Sequence, residues 1–276
     1  MLYVSSEHFR DIVTSWFGRF IWIFIHVRKK FCRGGWMDKR FRNGFRAVEV
    51  ERIATGCESI DSLLKGGIEK GIITNVFGGS GSGKTNFCIQ LAARMTSQGE
   101  KVAFIDTEGG FSPERFMQLA DEEALDNLLV RDPVDFEQQQ EAIEELSDVV
   151  QEQDVKMIVV DSMVSLYRLK VNGDNVSEIN QQLSEQLSEL SRLARTHDIP
   201  VMITNQVYTS FDEEGTELVG RDVPRYWSKC LLELSEDDSN VRKLRVEKHR
   251  SMPEDRTTRF QITDDGLESP DEKGLF

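Results

Sequence analysis

Apolar residues cluster in short continuous runs at 72–77, 102–106, 156–161 and 201–204, and between them apolar residues recur at three- and four-residue steps. A short apolar run bounded by turn residues marks a strand buried on both faces, whereas steps of three and four place side chains on one stripe of a helix. The pattern therefore predicts parallel strands over the four runs, alternating with helices over 84–97, 113–126, 135–153 and 175–197. The last helix has the clearest stripe, through Ile179, Leu183, Leu187, Leu190 and Leu193/Ala194, and Asp198-Ile199-Pro200 ends it. The helix at 135–153 is rich in Gln and Glu and reads as a solvated face. Two lesser elements are a weak strand at 127–131 and a short helix over 60–65, capped by Ser59 and stopped at Gly66-Gly67.

Past residue 224 the period changes. Residues 229–234, 241–247 and 257–263 alternate apolar with polar, as half-exposed antiparallel strands do. The polar, glycine-containing stretch 208–224 is long enough to be a functional loop. Residues 264–276 are acidic and read as a disordered tail. The expected fold class is α/β: a mostly parallel twisted sheet flanked by helices, with a C-terminal antiparallel extension. No internal repeat is visible.

Charge divides the chain. Residues 1–46 carry ten Lys/Arg against three Asp/Glu, and residues 47–276 carry 24 against 45. Such an acid excess argues against a surface that coats nucleic acid at low salt, and it suits a cytoplasm loaded with salt, which screens self-repulsion. Three domains are expected: an atypical basic and apolar extension at 1–46, a core at 47–263, and the tail. Within the extension, Trp16–Val27 is twelve residues with Arg19 inside, too short for a span that needs roughly 20. Its positive residues Arg28-Lys29-Lys30 follow the apolar run instead of preceding it, unlike a signal peptide. An interfacial anchor stays open. The preferred reading is an upstream extension that function does not need, with Met37, Val48 or Val50 nearer the true start. No stable membrane association is expected. Cys32, Cys57, Cys88 and Cys230 form no CxxC pair and have no His at metal spacing, which disfavours zinc and redox chemistry. Cys88 reads as a small buried hydrophobe.

The strongest chemical signal follows the first strand. Gly78-Gly79-Ser80-Gly81-Ser82-Gly83-Lys84-Thr85 fits G-x-x-x-x-G-K-[ST] without a gap, between a strand and an amphipathic helix. Glycines let successive backbone N–H groups turn inward around phosphate oxygens, and a helix amino end aims further N–H groups at the same anion. Lys84 can reach the terminal phosphates and the Thr85 hydroxyl can ligate Mg²⁺, which makes ATP with Mg²⁺ the expected cofactor pair. Three more polar residues end predicted strands, where α/β sites lie. Asp161 is placed to hold the Mg²⁺ shell, Glu108 to orient the attacking water and Gln206 to sense the terminal phosphate. A solvated turn carboxylate remains the alternative for Glu108, and a local strand-end amide that for Gln206. Lys248 and Arg250 could supply cationic help to a neighbouring subunit's nucleotide, or could be ordinary surface cations.

Together these stretches resemble the RecA-type recombinase core, in its archaeal RadA-related branch. The resemblance rests on Thr55-Gly56…Ser59-Ile60-Asp61…Gly66-Gly67-Ile68, on the 78–85 loop, and on Phe104-Ile105-Asp106-Thr107-Glu108-Gly109-Gly110-Phe111 with Ser112-Pro113-Glu114-Arg115-Phe116. It rests also on Val159-Val160-Asp161-Ser162 and Ile203-Thr204-Asn205-Gln206-Val207, and it covers about 52–268. It implies a RecA-type P-loop core in which Glu108 polarises water and Gln206 relays nucleotide state to the loop behind it. It also implies DNA-facing segments at about 166–175, with Arg168 and Lys170, and at 208–224, with Tyr208, Arg221 and Arg225. Lys248, Arg250 and Pro253 fall where such proteins reach a neighbour's nucleotide, so a homo-oligomer is a further expectation.

The sequence also departs from that branch. Residues 1–50 do not resemble a helix–hairpin–helix domain, Phe45-Arg46-Ala47 is one residue short of Phe-x-x-Ala, and 208–224 carries Asp212, Glu213, Glu214 and Glu217. The implied role is accessory: a cytoplasmic, weakly hydrolysing ATP-binding protein of DNA repair that meets single-stranded DNA and a RadA-type recombinase. A KaiC-like signalling ATPase and a non-hydrolysing, ATP-switched mediator are the alternatives.

Overall fold

The computed structural model describes residues 50–209, 216–218, 222–237 and 240–270. The chain divides into Met1–Val50 and Glu51–Phe276, and every described residue except Val50 belongs to the second unit. The expectations for the 1–46 extension lie outside the described residues.

In chain order the elements are β1 (Arg52–Ile53), α1 (Glu58–Leu63), β2 (Ile68–Glu69), β3 (Ile73–Gly78), α2 (Lys84–Thr96), β4 (Lys101–Asp106) and α3 (Pro113–Leu119). A 3-10 turn (Glu122–Asn127), β5 (Leu128–Arg131), α4 (Phe136–Glu152), β6 (Val155–Asp161), α5 (Ser165–Lys170) and α6 (Val176–His197) follow. Then come β7 (Val201–Thr209), β8 (Thr216–Leu218), α7 (Asp222–Trp227), β9 (Cys230–Glu236), β10 (Val241–His249), β11 (Thr257–Thr263) and β12 (Gly266–Glu268).

Ten of the described strands form one sheet, ordered β12-β11-β10-β9-β3-β7-β6-β4-β5, with β8 paired to β7. From β5 to β9 every neighbour on that path is parallel, and beyond β9 every pair is antiparallel. Alternation along a strand sends successive side chains to opposite faces. Val102 and Phe104 enter one apolar layer with α1 and α2, while Ala103 and Ile105 enter the other with α4, α5 and α6. The α6 stripe, Ile179, Leu183, Leu187, Leu190 and Leu193, is buried in the second layer as its spacing predicts.

Several boundaries differ from the sequence reading. The helix over 113–126 is interrupted: Ala120 is extended, and the 3-10 turn beyond it brings Ala124 and Leu125 back onto the first layer. Ser59 does not cap α1, whose N-cap is Cys57. Its N–H instead donates to the Ser269 hydroxyl and its own hydroxyl to the Arg259 carbonyl. The residues after Asp161 form a short helix, α5. Strand β9 is an inner strand, parallel to β3 and antiparallel to β10, with Cys230, Leu231, Leu232 and Leu234 all buried. The acidic tail is ordered structure through its first half. β12 pairs with β11 because Leu267, 3% exposed, completes the core there; residues 271–276 lie outside the described residues. Cys88 is buried, as expected, and is a free thiol. Among the described residues no helix is long and apolar enough to cross a membrane.

Candidate functional site at the carboxyl end of the sheet

Strand β3 runs into the turn 79–83, and α2 starts at Lys84. Gly83 sits at φ 99° and N-caps the helix, a conformation costly for any residue with a Cβ. Gly78 is required for a different reason: a Cβ there would lie 2.1 Å from the Leu234 carbonyl oxygen of β9. Lys84 is buried, and its ammonium donates to the carbonyls of Gly78 at 3.0 Å and Gly79 at 2.8 Å. Burial pushes its pKa down, against the pull of Asp161 and Glu108.

Asp161 ends β6, in register with Asp106 at the end of β4. The Thr204 hydroxyl donates to its Oδ1. Burial raises the carboxyl pKa; the Thr204 and Thr85 hydroxyls pull it back, and the Asp106 charge adds to the rise. Glu108 follows β4 by two residues. Asp106 shapes its loop, accepting from the backbone N–H groups of Glu108 (3.2 Å), Gly110 (3.1 Å) and Phe111 (2.8 Å). Thr107 ties the loop to β6 by donating to the Ser162 carbonyl at 2.7 Å and accepting from the Ser162 N–H at 2.8 Å.

Gln206 is not beyond its strand, as the sequence suggested, but within β7, level with Gly78. Its amide donates to both oxygens of Glu108, at 3.0 and 3.3 Å. Burial first, and then the Asp161 charge, raise the Glu108 pKa, while the Gln206 bond lowers it. Lys84, Asp161, Glu108 and Gln206 thus meet on one crest of the sheet.

The residues present fit a magnesium nucleotide. Asp161 Oδ2 and Ser82 Oγ are buried without a hydrogen bond of good geometry among the described residues. Such orphans call for a water, ion or ligand atom: an acceptor beside a hydrated cation and a hydroxyl beside a phosphate oxygen match both. Among the described residues no group of three or more His, Cys, Asp or Glu could hold a metal alone. That is the economy of a Mg²⁺ site, where one carboxylate works with water and substrate phosphates.

The other predicted residues are scattered. Arg168 on α5 reaches the Gln206 side-chain oxygen at 3.5 Å, and Lys170 on the same helix is paired with Glu137. Tyr208 lies on β7, with its side chain outside the described residues, as is all of Arg221. Arg225 is not with them. It pairs with Glu247, and the following Lys229 N–H bonds to Ile73 O at the opposite end of β3. Lys248 donates to the carbonyls of Arg225 and Ser228, both at 3.0 Å, and Arg250 pairs with buried Glu69. Burial lowers the Lys248 pKa, and Lys229 and Arg225 lower it further. The register Thr74–Cys230–His249 puts this cluster at the far end from Gly78, so it is remote from its own chain's phosphate loop. Pro253 is exposed in the turn after β10. Sequence reasoning missed Asp106, Thr204 and Thr107. The strand-end Asp followed by Thr-Glu-Gly-Gly was the available signal for the first, because a short acid there caps the turn behind it.

A glycine turn between strand and helix, with two acidic strand ends along the crest of one mostly parallel sheet, defines a RecA-type core. The Rad51 family model matches residues 46–270. The DNA repair and recombination protein RadB of Methanococcoides burtonii is 38% identical over 221 residues, covering 79% of this chain and 97% of that protein. The RadB of Halobacterium salinarum is 35% identical over 226 residues, covering 79% and 94%. A crystal structure of the RadB recombinase superposes with a TM-score of 0.69 at 36% identity, covering 79% of this chain and 99% of that one. The chain belongs to the Rad51 family, in its RadB branch.

Proposed function

We propose that this chain binds ATP with Mg²⁺, hydrolyses it slowly and serves DNA repair as an accessory to a RadA-type recombinase on single-stranded DNA. The observation that carries the reading is the convergence of buried Lys84, buried Asp161 and Gln206-held Glu108 at the end of β3, β4, β6 and β7. The names of the RadB relatives support the biological setting, and this family favours recombination over a signalling ATPase.

Each residue has a defined task. The 79–83 turn and the first amides of α2 bind the phosphates. Lys84 stands ready to exchange the Gly78 and Gly79 carbonyls for phosphate oxygens. Thr85 and Asp161 would hold Mg²⁺, which when bound neutralises charge on the phosphate oxygens. Glu108 orients a water and takes its proton at a carboxylate oxygen, once Gln206 releases that oxygen. Gln206 then reports the change along β7 toward the segment past Thr209. Arg168 lies beside Gln206, which supports α5 as the proposed nucleic-acid contact. Lys248 and Arg250 lie far from their own loop and are engaged by the Arg225 and Ser228 carbonyls and by Glu69, so a role at a nucleotide would require another subunit and the loss of those contacts.

A second reading has its own support. Gln206 engages both Glu108 oxygens, while Lys170 and Arg225 are already paired. These features suit a nucleotide-switched mediator with little turnover. ATP hydrolysis by the full chain in high salt, with and without single-stranded DNA, separates the two. DNA-stimulated turnover lost in Lys84→Ala and Glu108→Ala supports the ATPase. ATP binding without turnover supports the mediator, and absence of ATP binding sinks both.

A further inference from the structure

The phosphate loop rests on the C-terminal extension. Leu234 of β9 crowds Gly78, and a Cβ at Gly83 would lie 2.7 Å from Ile262 Cδ1 of β11. Arg242 of β10 stands between them, in register with Glu236 of β9 and Phe260 of β11. Its Nη2 lies 3.5 Å from Glu236 Oε1 and 3.5 Å from the carbonyl oxygen of Gly81, in the middle of the loop. The side chain is 17% exposed, and Nε is buried with no hydrogen-bond partner among the described residues.

A cross-strand pair with Glu236 accounts for part of this placement. It does not account for the reach to Gly81, 161 residues away in the chain. A guanidinium has five N–H donors and can serve both partners. Gly81 itself lies at φ +77°, one of several conformations open to glycine, so a contact to its carbonyl narrows the loop's choice. Charge adds a second argument. A polyanionic ligand entering this acid-rich unit meets Asp161 and Glu108 on one side of the loop. Arg242 sets a half-buried positive charge on the other, offset in part by the more exposed Glu236, where screening by water is weaker than on the open surface.

We infer that Arg242 is a positioning residue of the nucleotide site: acting through Gly81, it holds the phosphate loop in its binding shape and so sets affinity for a nucleoside triphosphate. The inference rests on the nucleotide-binding reading above. It also assigns the antiparallel extension a task at the site, beyond completing the core.

The test is the affinity of the full chain for a fluorescent ATP analogue with Mg²⁺ in high salt, measured beside the melting temperature without nucleotide. Arg242→Ala is expected to weaken binding about tenfold, the size of one charge-assisted hydrogen bond. The melting temperature should stay within about 3 °C of wild type. Arg242→Lys, which keeps the charge but not the fork, should recover part of the loss. Arg242→Ala binding within twofold of wild type overturns the inference, and so does an effect confined to the melting temperature. If Arg242→Ala does not fold, Arg242→Lys decides: about threefold weaker binding supports the inference, and wild-type affinity overturns it. Should wild type itself fail to bind the analogue, the nucleotide reading falls and this inference with it. Binding by wild type with no effect of Arg242 sinks this inference alone.

Discussion

Gln206 Nε2 stands between the two carboxylate oxygens of Glu108, at 3.0 and 3.3 Å, across 98 residues of chain. The bond lowers the Glu108 pKa against burial and the Asp161 charge, which both raise it. Glu108 accepts a proton only when ionised. Removing the amide therefore raises the pKa further and narrows the pH range in which Glu108 could act as the proposed base. In Gln206→Ala the acid limb of turnover should move to higher pH, and the plateau rate should fall by about tenfold or more. A pH–rate profile of the two proteins checks this; an acid limb that stays in place or moves down contradicts the assigned coupling.

Asp161 has one oxygen engaged by Thr204 and the other buried without a good partner. If that second oxygen faces a hydrated cation, Asp161→Asn should weaken the Mg²⁺ dependence of nucleotide binding. EDTA is expected to reduce affinity for an ATP analogue in wild type by about tenfold and to have much less effect in the variant. Equal EDTA sensitivity in both would remove Asp161 from the metal shell.

Lys170 is occupied by Glu137, and the pairing raises the lysine pKa and lowers the glutamate pKa. Both groups are exposed, so the pair adds little to stability. Breaking it should still change function, because Glu137→Gln leaves Lys170 available to a phosphate. Single-stranded DNA affinity should rise, and the log–log salt slope should steepen by about 0.7. Salt titrations of binding by fluorescence anisotropy are the measurement. An unchanged slope places the DNA path away from α5.

His249 is buried beside Glu69, with Nε2 3.5 Å from a carboxylate oxygen, and its Nδ1 accepts from the Ser251 N–H at 3.1 Å. Burial lowers its pKa, more than the Glu69 charge raises it; Arg52, Arg250 and Lys65 lower it too. The folded state thus favours the neutral ring. Above the unfolded-state pKa of roughly 6.5 the group has no pH effect. As pH falls below that, the unfolded chain takes up a proton that the folded chain refuses, and stability drops. Urea unfolding at pH 7.5 and 5.5 should show this loss in wild type and a smaller one in His249→Gln. An equal loss in both proteins would locate the acid sensitivity elsewhere.

The elements that form the crest of the candidate site are legible in the sequence because its parts are local. An apolar strand, a glycine turn and a helix start lie within fourteen residues, and Asp161 and Glu108 each follow an apolar run. Arg242 was invisible for the opposite reason: its partner Gly81 is brought near only by the pairing of β9 with β3. Strand β9 itself was misjudged because pattern shows which faces are apolar but not which strand lies beside which. The break at Ala120 and the ordered β12 share one cause. Packing of Ala124, Leu125 and Leu267 into the first layer outweighed local signals for a continuous helix and a solvated tail. The resemblance sets Arg225 with the DNA-facing loop, yet α7 turns back to the other end of β3.

Thr107 and Ser162 exchange hydrogen bonds across β4 and β6, and the Thr107 hydroxyl lies 2.5 Å from that of Ser165. These three uncharged residues lock two acidic strand ends to each other. A saturation scan for loss of function would therefore place them among the most intolerant positions of the chain, alongside residues that carry charge. The clasp adds to the β4–β6 ladder in fixing how far apart the two acidic strand ends stand.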